Sequence, residues 1–176
     1  KWSKVQYEDQ NIGKPNEGLT DKMFDLSTGF TDEDLKGKVI VEFGCGGGRY
    51  MDVVLRKGGI AVGIDLSIAV EPAMENLSHY ENVLIVQGDV LNSPFKDGVF
   101  DNGYSIGVLH HTPNPADGIK ELFRTIKKGG EGMCLVYQSD GWYASNSIKH
   151  FRRFINGTRF IFGNSLALIY SHVSAR

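Results

Sequence analysis

The run Val39-Ile40-Val41-Glu42-Phe43, followed at once by Gly44-Cys45-Gly46-Gly47-Gly48, constrains this chain more than any other feature. A short, β-branched, almost continuously apolar segment is what a parallel strand covered on both faces requires, whereas a half-exposed strand would alternate. The glycines behind it let the backbone turn tightly and let another group approach without a Cβ in the way. The spacing then predicts a helix over 49–57, with Tyr50, Val53 and Val54 on one stripe and Gly58-Gly59 as its stop.

The same alternation repeats downstream. Ile60 to Ile64 reads as a second apolar strand ended by Asp65, and the helix after it carries Pro72 in its first turn, where a missing N–H costs little. Val83 to Val86 is a third strand, closed by Gln87-Gly88-Asp89, and the segment from Val99 to Ile106 contains a fourth. Asn114-Pro115-Ala116-Asp117 has the order of a helix start, and Lys127-Lys128-Gly129-Gly130 that of its end. Met133 to Tyr137 is the fifth strand. Five strands separated by helices imply an α/β parallel sheet, since each right-handed crossover returns the chain to the same sheet. A further helix is expected around Leu19 to Leu26, and two more over 145–155 and 165–172.

Length and composition fit one domain. At 176 residues the chain can bury a substantial core but cannot build two ordinary ones. The expected division is a helical segment over 1–38, the α/β core over 39–140 and a helical tail over 141–176. No apolar run approaches the ~20 residues needed to span a bilayer, and the start lacks the apolar core of a secretory signal, so a cytoplasmic location is expected. Cys45 and Cys134 have no metal-ligand spacing and are expected as free thiols; no metal is expected. Residues 1–140 carry 14 basic and 21 acidic side chains, against 5 basic and none acidic in 141–176. A main body this acidic is a poor platform for nucleic acid, and none is expected as a partner.

The glycine loop alone is a weak signal. A dinucleotide fingerprint wants glycine or alanine three positions after its second glycine, and here Arg49 stands there. A pyrophosphate needs close packing at the helix N-terminus; a ligand without phosphate does not. Asp65, 21 positions after Gly44, lies where a carboxylate accepts from both hydroxyls of a ribose, or simply caps a helix. Asp89, 24 residues further on, lies where it can accept from an adenine amino group while the Val90 N–H meets a ring nitrogen; singly, such an Asp is a common turn residue. Three strand ends coinciding carry the weight, because open α/β sheets bind ligands outside the carboxyl ends of their strands.

With these motifs in order, the chain resembles the class I S-adenosylmethionine-dependent methyltransferases, within them the small-molecule group that includes the ubiquinone and menaquinone biosynthesis enzymes. The resemblance covers about 39–138 and rests on Val39 through Gly48, Val62-Gly63-Ile64-Asp65-Leu66-Ser67, Gln87-Gly88-Asp89-Val90, Phe100-Asp101 through His110-His111, and Leu122-Phe123-Arg124 with Lys127-Lys128-Gly129-Gly130. It implies a Rossmann-like sheet of order 3-2-1-4-5 and S-adenosylmethionine as cofactor. Gly44, Cys45 and Gly46 would line its methionine part, with Glu42 supporting the loop or the amino group. Asp65 would hold the ribose, Leu66 would lie on the adenine face, and Asp89 and Val90 would read the adenine edge. Ser105 would offer its backbone near the amino group and border the substrate.

Two departures matter. No Asn/Asp-Pro-Pro-aromatic motif follows strand four, which favours a small-molecule substrate over a base or an amide. The closing antiparallel hairpin of the family is missing, since the 36 residues after 140 have weak strand character, and a trimmed chain is one expectation. Methyl transfer from a sulfonium asks mainly for positioning and exclusion of water. If the acceptor must lose a proton, His111 or, second to it, His110 can take it; both read equally well as packing or capping groups of the loop before Asn114. Phe151, Phe154, Ile155, Phe160, Ile161 and Phe162 interleave with Lys149, Arg152, Arg153 and Arg159, the pattern of a lid, a surface touching acidic lipid, or a helix packed on the sheet. Trp2 and Tyr7 are candidates to close over the cofactor. The rival readings are an NAD(P)-dependent reductase and a binding module without catalysis.

Overall fold

The computed structural model describes residues 17–136. Trp2, Tyr7, the helices expected over 145–155 and 165–172 and the basic aromatic tail lie outside them. The element order is α1 (Glu17–Thr28), α2 (Asp32–Leu35), β1 (Val39–Phe43), α3 (Arg49–Arg56), β2 (Ile60–Asp65), α4 (Val70–Leu77), β3 (Val83–Gln87), β4 (Asn102–Ile106), a single 3-10 turn (Leu109–His111), α5 (Pro115–Thr125) and β5 (Gly132–Leu135). The five strands form one sheet of order β3-β2-β1-β4-β5 with every pairing parallel, as expected.

The order follows from the crossovers. β1, β2 and β3 are laid down in one direction; the chain then returns to place β4 on the other side of β1, so the sheet reverses direction between β1 and β4. All strands point the same way, so the glycine loop after β1, Asp65, Gly88-Asp89 and the turn after β4 gather along one rim.

Alternation along the strands divides the core in two. Ile40 and Tyr104 face a cluster with Phe24 and Phe30, and with Met51, Val53 and Val54 of α3. Val41, Phe43, Val62 and Ile64 face the opposite side, against Leu122, Ile126, Phe100 and Val90. The surrounding side chains leave no room for a Cβ at three sheet positions: at Gly63 a Cβ would lie 2.5 Å from Met51 Sδ and 2.8 Å from Cys45 Cβ, at Gly103 2.7 Å from Val41 Cγ1, and at Gly132 2.6 Å from the Phe123 ring. These glycines let helices and strands pack closely, a use separate from turning.

Charge ties fix the outer elements. Arg56 at the end of α3 meets Asp52 and Asp21, each at 2.8 Å, and Lys57 meets Asp25 and Asp32 at 3.2 Å, which docks α1 and α2 against α3. On the other face Glu121 of α5 accepts from Ser93 N–H at 2.9 Å and Ser93 Oγ at 2.7 Å, and pairs with Arg124, whose Nη2 also donates to Phe95 O at 2.8 Å. That clamp holds the connection between β3 and β4 onto α5. Asp101, before β4, accepts from the Val39 N–H at 2.8 Å and from Lys127 at 2.6 Å, so the start of β1 is tied to the start of β4. No helix among the described residues is long and apolar enough to cross a membrane.

The clamp has a pH signature. The Arg124 guanidinium, against the opposing effect of burial and with help from Ser93, holds the Glu121 carboxyl down to about 2. A carboxyl depressed in the folded state contributes stability that is present above its unfolded value, about 4.3, and lost as pH falls through about 2. Glu121→Gln should therefore cost ~1–3 kcal/mol at pH 7, with the difference from wild type shrinking below pH ~4. Urea unfolding from pH 7 to pH 2 checks it; a difference independent of pH would contradict the assignment.

Candidate functional site

The rim is built from the loops that follow the strands. After β1 the backbone enters left-handed conformations at Gly44 (φ 85°), Gly46 (φ 52°) and Gly48 (φ 84°), which only glycine adopts without strain. The Gly44 and Cys45 N–H groups both donate to Ile64 O of β2, at 2.7 and 3.1 Å. The Gly46 N–H donates to Asp65 Oδ2 at 2.9 Å.

Where the Gly44 side chain would stand, the Val108 side chain already sits, and the Gly48 position is packed against Leu77. The absent Cβ at Gly44 thus admits the loop after β4, not a ligand; this corrects the simplest reading of that glycine. Cys45 is buried and free, and Cys134 of β5 is free as well. Burial pushes both thiols up, Cys134 to about 12.

Asp65 closes β2 with both carboxylate oxygens engaged. Oδ2 accepts from Gly46, and Oδ1 accepts from the Ser67 N–H at 2.9 Å and the Ser67 hydroxyl at 2.6 Å. A carboxylate has about four lone-pair sites, so one stays open on Oδ2 and a second ligand donor would replace the Ser67 hydroxyl. Leu66, next in the chain, is 68% exposed, and Ile68 is 60% exposed. Two large apolar side chains beside a carboxylate at the rim form a wall with one polar end.

At the tip of β3, Asp89 is exposed and its Oδ1 accepts from the Leu91 N–H at 2.9 Å. Its Oδ2 receives no bond from the described residues. Val90 is buried in the core beside Phe43 and Ile64, which fixes its backbone, and its N–H has no acceptor among the described residues. A fixed donor next to an acceptor at a strand tip is a ready pair for the edge of a heterocycle.

At the end of β4, Ser105 is 1% exposed and its hydroxyl donates to Phe43 O of β1 at 2.8 Å. The side chain therefore staples β4 to β1 and is turned into the sheet. His110 and His111 lie on the short turn beyond, ring centroids 3.9 Å apart. Burial, with the neighbouring His111, lowers His110 to about 4; His111 is exposed.

Glu42, 2% exposed in β1, accepts from the Tyr104 hydroxyl at 3.1 Å, and burial pushes its carboxyl up to about 8. Tyr104, the register partner of Glu42 on β4, is a residue that reading the sequence did not single out. Its signal was faint: Tyr104 falls between Gly103 and Ser105 in a segment chosen for its motif, with nothing local to pair it with a carboxyl 62 positions earlier.

Comparison with known proteins agrees with this fold. Residues 41–134, more than half of the chain, match the family described as a methyltransferase domain. The chain is 33% identical over 111 residues to the tRNA U34 carboxymethyltransferase of Sulfurovum sp. (strain NBC37-1), covering 61% of this chain and 37% of that protein. It is 33% identical over 118 residues to the chloroplastic tocopherol O-methyltransferase of Arabidopsis thaliana, covering 62% and 33%. The chain thus spans about a third of the length of these relatives. A solved SAM-dependent methyltransferase from Aquifex aeolicus superposes with a TM-score of 0.63 at 16% identity, covering 89% of this chain and 87% of that one. The chain belongs to the methyltransferase domain family, on the Rossmann-like parallel sheet that S-adenosylmethionine-dependent methyltransferases share.

Proposed function

We propose that this protein transfers a methyl group from S-adenosylmethionine to a small-molecule acceptor. The observation that carries the reading is the donor and acceptor set on the neighbouring tips of β2 and β3. Asp65 keeps acceptor capacity for a sugar hydroxyl, the Val90 N–H and Asp89 Oδ2 are without protein partners among the described residues, and Leu66 supplies an apolar face between them. This is the set a nucleoside without phosphate needs. Arg49 stands where a dinucleotide fold wants a small residue, which argues against a nicotinamide cofactor.

When bound, S-adenosylmethionine supplies a methyl carbon already activated by its sulfonium. The chain's own contribution is placement. Asp65 is held rigid by three hydrogen bonds and orients the ribose, Asp89 and Val90 fix the base, and Glu42 underlies the amino-acid end. Fixing a near-attack geometry is the larger part of catalysis for a displacement of this kind. Where the acceptor must lose a proton, His111 accepts it. His110, lowered to about 4 by burial and the neighbouring His111, stays neutral at pH 7.

The described body carries an excess of acid, counted as 11 basic against 18 acidic side chains over 17–136, which suits a small acceptor better than a polyanion. A second reading, a nucleoside of tRNA, is favoured by the likeness to a tRNA U34 carboxymethyltransferase. Labelled methyl transfer into a metabolite extract and into total tRNA separates the two. Product in the extract that survives ribonuclease supports the first, and label confined to tRNA supports the second. Calorimetry should show binding of S-adenosylmethionine and S-adenosylhomocysteine and none of NAD; the reverse would reject the cofactor.

Asp65→Ala should weaken cofactor binding by ~1–3 kcal/mol, and lower unfolding stability as well, because the Gly46 and Ser67 donors lose their acceptor. Unchanged affinity in calorimetry would remove the ribose assignment. His111→Gln should lower kcat by ~10²-fold or more if proton removal accompanies transfer, while His110→Gln changes it by less than ~10-fold. Steady-state kinetics of both variants decides between them, and equal effects would mean that neither acts as base.

A further inference from the structure

Glu42 and Tyr104 are register partners on adjacent central strands, on the face covered by α1 and α3. The Tyr104 ring is fully buried, edge-on to Phe24 at 5.2 Å and 6.4 Å from Phe30. Its position is therefore set by α1 packing, and its hydroxyl reaches Glu42 Oε2. No cation pairs with Glu42 among the described residues. Arg49 of α3 favours its anion from a distance, but donates to the Tyr50 hydroxyl at 2.8 Å and lies over the Tyr50 ring. Asp65 of β2 acts against the anion, and Cys45 in the loop stays a neutral thiol. A carboxylate removed from water with one neutral donor and no counter-ion is disfavoured, so Glu42 holds a proton in the ligand-free protein.

We propose that Tyr104 is a positioning residue that holds Glu42 beneath the glycine loop, so that arrival of the methyl donor's cationic amino-acid end supplies the missing counter-charge and expels the Glu42 proton. Binding and ionisation are then one event. The carboxyl O–H bond breaks, the proton passes to solvent, and the carboxylate left behind pairs with the incoming cation. This rests on the S-adenosylmethionine reading given above. It predicts affinity that rises with pH up to about 8, where burial has placed the free carboxyl.

The test is calorimetry of the full chain with S-adenosylmethionine in buffers of different ionisation enthalpy. Close to one proton should be released per cofactor at pH 7, falling to about a tenth at pH 9. The ligand's own α-amino group titrates in the same range, at about 7.7–8.0, and Glu42→Gln, which removes the proton while keeping an acceptor for Tyr104, gives the correction for it. Release that persists in Glu42→Gln would overturn the proposal. Tyr104→Phe keeps the packing on Phe24 and Phe30; it should shift the midpoint of release to higher pH and weaken binding at pH 7 by about 2- to 10-fold, with recovery as pH rises. A merely structural role would lower Tm without moving that midpoint, and this result would also overturn it. Binding without proton release keeps the cofactor reading and rejects the coupling; absence of binding rejects both.

Discussion

The Asp65 carboxylate holds the rim together. Through Gly46 on one side and Ser67 on the other it joins the turn after β1 to the turn after β2, and those two turns form the walls between which a nucleoside would lie. A carboxylate at the end of a buried strand loses solvation, and three donors from its own chain offset that loss before any ligand arrives. The group is thus preorganised. A ligand hydroxyl bonding Asp65, as proposed, would meet an oxygen already fixed in direction and leave little ordering for binding to accomplish.

The glycines serve the same end by a different route. Gly44 and Gly48 are needed for their left-handed backbone, yet the space their side chains would fill is taken by Val108 and Leu77. At Gly63 and Gly103 the backbone is ordinary and space alone decides, with Met51, Cys45 and Val41 pressed onto the sheet. Close packing on both sides of the loop makes the rim stiff. Removing side chains from the loop brings α3, α4 and the β4 turn inward around it, and the N–H groups of Gly44 and Cys45 are drawn into β2 through Ile64 O.

The fold was legible because β1, β2 and β3 are short apolar runs with a glycine or acid at or just after their ends, so the periodicity fixes both type and boundary. β1 was read to the residue, and β2 and β3 were each one residue longer than the apolar run, because Asp65 and Gln87 still pair. β5 begins one residue earlier than read, at Gly132, which pairs with Gly103, and ends at Leu135, with Val136 already outside the strand. The site was legible only in its polar ends. Asp65 and Asp89 stand out as acids after apolar runs, but nothing local reveals that Asp65 is already bonded to Gly46, or that the Ser105 hydroxyl is turned into the sheet toward Phe43. The pairs Glu42 with Tyr104 and Val39 with Asp101 each join residues 62 positions apart. Such contacts follow from strand order, and strand order is a property of the whole sheet.

The division of labour along the chain also explains why the acceptor is harder to read than the donor. Relatives named for tRNA U34 and for tocopherol match this chain at the same identity. In this chain the family match over 41–134 takes in most of the parallel sheet, the glycine loop and the acids at successive strand tips. The β4 turn with His110 and His111 is the one described element at the rim that belongs to both halves, since Val108 anchors it to the glycine loop while His111 is exposed beyond it. Were the acceptor to lie against that turn, as the proposed role of His111 requires, the packing of Val108 on Gly44 would tie its position to the glycine loop. Specificity can then be set by segments that pack around the turn, with no change to the core that carries the donor.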